Sequence, residues 1–100
     1  MPVWNVSSDP KVVLRSWRVY ELEDGDRHLV GYNDKAGEGR VSSKILSFDK
    51  ENRSFTTRSR KYYIEGESGY SIFSDASYTW AHWKKLNSIT EVKEVSNEYE

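Results

Sequence analysis

The amino-acid sequence predicts an α+β domain: an antiparallel, strongly curved sheet of about five strands, with one helix at about 75–87 packed on one face. Three observations predict it. The stretch DASYTWAHWKKLN, residues 75–87, has clear helical periodicity: Ala76, Trp80, Trp83 and Leu86 recur at i, i+4, i+7 and i+10 and share one side of a helix. Most of the remaining chain falls into β-prone, alternating runs cut by short polar turns. Asp24-Gly25 between two such runs is a strong hairpin signal, because both central residues of a type I′ turn need positive φ.

Taken in order, residues 1–10 read as an irregular arm that pins Trp4 into the fold. Residues 11–22, KVVLRSWRVYEL, read as a strand. Strict alternation puts Leu14, Ser16, Arg18, Tyr20 and Leu22 on one face and Val13, Arg15, Trp17, Val19 and Glu21 on the other. After the turn, RHLVGYN is the return strand, and Gly31 inside it marks a bulge or a close backbone approach. Beyond the polar loop 33–39, RVSSKILSF (40–48) is a third strand, and 54–65 a fourth with a break near Ser59. Asp75 is a suitable N-cap for the helix, and Lys84 and Lys85 suit its last turns. ITEVKEV (89–95) reads as a final edge strand blunted by its charges, and 96–100 as a fraying tail. A strongly curved half-barrel wrapped around the helix is the alternative arrangement.

Bulk properties narrow the class. One hundred residues suit a single domain, 1–100, large enough to bury roughly two-thirds of its unfolded surface. Charged residues make up 31% and the net charge is −1, which fits a globular domain and excludes a polycation. Without cysteine there is neither a disulfide framework nor a thiolate metal site. No apolar run approaches the ~20 residues of a membrane helix, and the first residues lack a signal-peptide pattern. A cytoplasmic protein without membrane attachment is expected. Four Trp, seven Tyr and three Phe are a heavy aromatic load, serving the core first and binding surfaces second.

Catalytic patterns are weak. His28 and His82 are the two histidines, one in a strand and one beside the helix's apolar side. Each reads as a structural or surface residue. Ser42-Ser43 has no glycine elbow. Glu21, Glu23, Asp24 and Asp26 could pair as glycosidase carboxylates do, but at a hairpin tip they read as a solvated cluster. Glu23-Asp24-Gly25-Asp26 is too short for a calcium loop, and Gly37-x-Gly39 is followed by a strand where a phosphate loop needs a helix. No metal, cofactor or catalytic residue is assigned.

Two binding sites are candidates. Residues 40–61 hold seven basic and two acidic side chains, whereas the last ten hold four Glu and one Lys. Arg40, Arg58, Arg60 and Lys61 beside Tyr62 could form a basic ribbon for single-stranded nucleic acid, cations on phosphates and a ring under a base. The competing account pairs those arginines with Glu21, Glu23 or the acidic tail. Alternatively, Trp17, Tyr32, Tyr63, Trp80 and Trp83 could line a small-molecule pocket between curved sheet and helix.

The run SWRVYELEDGDRHLVGYN…GEGRVSSKILSFD…TTRSRKYY, followed by DASYTWAHWKKLN, resembles short bacterial open reading frames of mobile-gene or integron-cassette type. The likeness covers most of residues 16–87. It implies a cytoplasmic bacterial accessory protein and brings no activity and no site residue. The leading functional expectation is a non-catalytic binding module acting on a protein partner or on itself as a homo-oligomer. A small-molecule pocket or unfamiliar enzyme, and a nucleic-acid binder, are the alternatives.

Overall fold

The computed structural model describes residues 12–69 and 75–100. The arm expected at 1–10 lies outside them, and so does the side chain of the expected N-cap, Asp75. The described chain is α+β: β1 (Val12–Leu22), β2 (Arg27–Asn33), β3 (Glu38–Val41), β4 (Ile45–Asp49), β5 (Ser54–Thr57), β6 (Lys61–Glu65), helix α1 (Asp75–Leu86), β7 (Val92–Glu94) and a 3-10 helix, Ser96–Tyr99. Seven strands replace the expected five. The sheet runs β3-β2-β1-β6-β5-β4, with β7 added to β1, and it does not close.

Serine and threonine chemistry explains the extra strands. The run 40–48 divides at Ser42: its N–H still donates to the Leu29 carbonyl at 2.8 Å, but its Oγ, in place of its carbonyl, accepts the Leu29 N–H at 2.9 Å. The break near Ser59 is a tight turn in which Thr57 Oγ1 and N–H both donate to the Arg60 carbonyl, at 2.6 and 2.9 Å. Asp24-Gly25 does join two antiparallel strands. The link is a four-residue loop, however, not a type I′ turn. Within it only Gly25 has positive φ (94°), and the Asp24 carboxylate accepts the Asp26 N–H at 2.9 Å.

Strand β1 departs from strict alternation. Arg15 faces Tyr32 and Arg18 faces Val30, so Ser16 and Trp17 together oppose Gly31. Ser16 takes φ 51°. This is a bulge, and one extra residue reverses which side chains face which way. Val12, Leu14, Trp17 and Val19 therefore share one face, in a core with Leu29, Phe55, Tyr62, Ile64 and Val95. Tyr20 and Leu22 turn to the other face, where they pack with Val30, Val41 and α1. The expected grouping of Leu14 with Tyr20 and Leu22 is thus corrected. The sheet curls around the first core, not around the helix.

The second edge of β1 is shared among four partners. Val12–Arg15 pair with β6, in parallel, which the antiparallel expectation did not include. The Trp17 carbonyl accepts the Gly69 N–H at 2.7 Å. Val19 is bracketed by the Ser96 Oγ, which accepts its N–H at 2.9 Å, and the Val95 N–H, which donates to its carbonyl at 2.8 Å. Tyr20–Leu22 pair with β7. Buried main-chain groups need partners, and this strand finds them from four segments.

Helix α1 lays Ala76 and Trp80, both buried, and the half-buried Trp83 on the sheet. Leu86, expected on the same side, is 70% exposed. It follows Trp83 by three residues but ends the helix. There Ile89, reaching back with its N–H to the Lys84 carbonyl (2.8 Å), packs with the apolar group in its place. Ser88 makes that reversal at φ 56°, the left-handed conformation that glycine adopts without strain.

Two stability predictions follow from these backbone positions. A Cβ on Gly31 would lie 2.9 Å from the Leu14 Cβ and 3.3 Å from the Arg15 carbonyl oxygen. Gly31→Ala should therefore cost about 1–3 kcal/mol in urea unfolding. An unchanged midpoint would show that the strands are not in such close approach. Ser88→Gly should act in the opposite direction, raising stability by up to ~1 kcal/mol, since relief of left-handed strain outweighs the added unfolded-state freedom. A lowered thermal midpoint would contradict this.

Candidate functional site

The residues of the expected basic ribbon do not form one. Arg40 lies on β3, at one end of the sheet, with its Nη2 3.5 Å from Glu38. Arg58 and Arg60 belong to the β5–β6 turn and Lys61 opens β6, with β2 and β1 between β3 and β6. Arg58 and Lys61 are exposed there and Arg60 is half-buried. Tyr62 is only 4% exposed and sits in the core beside Val12 and Phe55, so its ring is not available to a base. Pairing with Glu21 and the acidic last residues does occur, but it is made by arginines of β1 and β2. Arg18 meets Glu94 at 2.8 Å and Arg27 meets Glu98 at 2.9 Å.

The five residues of the expected pocket are also separated, and the bulge is the reason. Trp17 is fully buried in the core on one face, its Nε1–H donating to the Gly66 carbonyl at 3.1 Å. Trp80 and Trp83 pack on the opposite face. There they join a three-ring stack with a tilted fourth ring, His28, at its end. Tyr20 lies 4.5 Å from Trp80 at 10°, Trp80 lies 5.3 Å from Trp83 at 13°, and His28 lies 4.7 Å from Trp83. His28 is buried, with its Nδ1 2.8 Å from the Ser42 carbonyl. A carbonyl can only accept, so Nδ1 carries the proton. Histidine, tryptophans and tyrosine here tie the helix to the sheet.

Tyr32 and Tyr63 are half-buried elsewhere, Tyr32 in register with Arg15 and Tyr63 with Val13. The guanidinium of Arg15 lies 5.2 Å over the Tyr32 ring and its Nε is 2.6 Å from Asp34. Beside them runs a groove of about 260 Å³ lined by Val13, Arg15, Asn33, Asp34, Lys35 and Glu65. Small-molecule sites are usually about 300–1,000 Å³ with apolar walls. This groove is smaller, and four of its six lining residues are charged. Among the described residues no group of three or more His, Asp or Glu is placed to hold a metal ion.

A site absent from the sequence expectations lies at the mouth of the curled sheet. Arg27 opens β2, and its Nε donates to Glu21 at 2.9 Å. Its Nη1 donates to Glu98 at 2.9 Å and to the Tyr99 hydroxyl at 2.8 Å. The Tyr99 ring is 5.1 Å from both Phe48 and Phe55. Hydrogen bonds to Tyr99, Glu98 and Glu21 hold the guanidinium more firmly protonated than an ordinary arginine. The segment expected to fray is therefore seated in an aromatic slot, and Ser96 is buried. The legible signal was the tyrosine set between Glu98 and Glu100.

The outward side of α1 is the other missed surface. Tyr78, Ala81, His82, Lys85 and Leu86 are all exposed there, at i, i+3, i+4, i+7 and i+8. Beside the helix end lies a hollow of about 410 Å³ lined by Leu22, Glu23, Asp24 and Ile89. No described helix is long and apolar enough to cross a membrane. In comparison with known proteins, the chain matches no family model, no curated protein and no solved structure.

Burial of Tyr62 sets a clear expectation. Tyr62→Ala should act on stability, costing about 3–5 kcal/mol as large-to-small core changes of aromatic residues do. Circular dichroism during urea unfolding measures it. A fully stable Tyr62→Ala protein would mean that this ring is not in the core.

Proposed function

We propose that the protein is a non-catalytic interaction module that self-associates through the outward side of α1. One observation carries the reading: Tyr78 and Leu86, two turns apart on that side with Ala81 between them, are 74% and 70% exposed. The charge of that side favours a second copy as occupant. Residues 76–87 contain no acidic side chain, and Lys84 and Lys85 stand at the helix end. The neighbouring hollow contributes Glu23 and Asp24 around apolar Leu22 and Ile89. A basic, apolar end beside an acidic, apolar hollow meets the self-complementarity of a two-fold interface, in which each patch receives the other.

The other readings have weaker support. A nucleic-acid site keeps the exposed cations Arg58 and Lys61 but loses the stacking ring of Tyr62. A ligand or enzyme site would use the small groove beside Arg15 or the open hollow at the helix end, and neither gathers a catalytic set. A cytoplasmic, bacterial, cassette-type origin belongs to the proposal on the strength of the sequence resemblance alone.

Sedimentation velocity tests the proposal. The unaltered chain should sediment as a dimer at tens of micromolar, and Leu86→Asp or Lys85→Glu as a monomer. Both positions are exposed, so thermal stability should move by no more than about 0.5 kcal/mol. A chain that is monomeric throughout that range, or a Leu86→Asp protein that remains dimeric, would remove this reading.

A further inference from the structure

We infer that the slot formed by Arg27, Phe48 and Phe55 is a recognition site for acidic–aromatic–acidic peptide segments of another protein chain, and that residues 97–100 occupy it in cis as a built-in ligand. The seated segment spells out the chemistry. Glu98 takes Arg27 through both oxygens, at 2.9 Å to Nη1 and 3.4 Å to Nη2. The Tyr99 hydroxyl accepts from Nη1 at 2.8 Å while its ring meets Phe48 edge-on and Phe55 at a tilt. Glu100 accepts from the Ser68 hydroxyl at 2.7 Å. A forked cation over an aromatic floor reads a carboxylate and a phenol together, which a single charge or a lone ring would not.

The segment is attached in a way that permits exchange. Main-chain and serine bonds to β1 stop at Val95 and Ser96. The described main-chain bond of residues 97–100 is internal, from the Glu98 N–H to the Val95 carbonyl. Asn97, Glu98 and Glu100 are exposed. Lifting residues 97–100 about Ser96 therefore breaks side-chain contacts and the short-range main-chain bonding of the 3-10 turn, and leaves the edge of β1 covered. A tethered ligand has an effective concentration of about the millimolar range, so a peptide in trans competes poorly until the cis segment is weakened. The slot lies on the face of the sheet opposite α1, and the inference does not depend on self-association through that helix.

The test is fluorescence anisotropy with a labelled synthetic peptide, VSNEYE, added to the 100-residue chain. The probe should bind the Tyr99→Ala protein at least tenfold more tightly than the unaltered chain. Affinity should fall when salt is raised, because carboxylates on a partly exposed arginine are screened. A peptide with alanine for tyrosine should not bind. Should Tyr99→Ala fail to fold by circular dichroism, Glu98→Gln decides, since it keeps the ring seated and loosens the arginine; it should bind several-fold more tightly than the unaltered chain. Equal binding by the altered and unaltered proteins, or equal binding of the tyrosine and alanine peptides, would overturn the inference. Leu86→Asp should leave the peptide result unchanged, so failure here and failure of the dimer are separable.

Discussion

The bulge at Ser16 and Trp17, fitted against a residue without a Cβ, is the constraint on which the rest of the structure depends. Two residues of β1 oppose Gly31 alone, and Ser16 accepts a left-handed conformation to allow it. Reversal of facing within one strand lets β1 serve two cores. Its first half and Trp17 build the core inside the curled sheet, while Tyr20 and Leu22 build the one beneath the helix. Without the extra residue, Trp17 and Val19 would share a face with Val13 and Arg15, and an indole would compete with a guanidinium for burial. The bulge also raises local twist, which helps the sheet curl.

Both proposed binding surfaces take their position from that division. The inward face ends in a mouth where Arg27, Phe48 and Phe55 receive Tyr99, and the outward face ends in the helix whose far side bears Tyr78 and Leu86. A second bulge protects the far end of the sheet. Ile45 faces Thr57 and Ser47 faces Thr56, so Leu46 is the unpaired residue, 59% exposed, in the terminal strand β4. A bulge there spoils the flat template that another strand would need. The edge is blunted, while the outward helix face stays exposed and the mouth is filled by Tyr99.

Local sequence signals were legible where neighbours in sequence decide the outcome. The span of β2, the helix with its buried Ala76 and Trp80, the hairpin at Asp24-Gly25, the break near Ser59 and the close approach at Gly31 all belong to that class. What alternation could not show was the parity change at Ser16, because a serine at positive φ has no special spelling. From it followed the misplacement of Trp17 beside Trp80 and Trp83. Tyr62 looked like a surface ring because cations flank it, but strand alternation sends Lys61 outward and Tyr62 inward. Arg27, Glu98 and Tyr99 are some seventy positions apart, and no local rule joins them. The parallel β1–β6 pairing was hidden for the same reason, since hairpin signals speak only for adjacent strands.

The divided edge of β1 has a consequence for how the chain is made. β7 and Ser96 follow Leu22 by about seventy residues, which at ordinary ribosomal rates is roughly 4–14 s of elongation. Throughout that interval β1 can pair with β2, but the bonds of Val19 and of Tyr20–Leu22 to the last segment cannot yet form. A nascent chain therefore carries a half-finished sheet with an apolar, open strand at its centre until that last segment is made. The charges of β7, Lys93 and Glu94, then close that edge with a strand that is a poor template for further pairing.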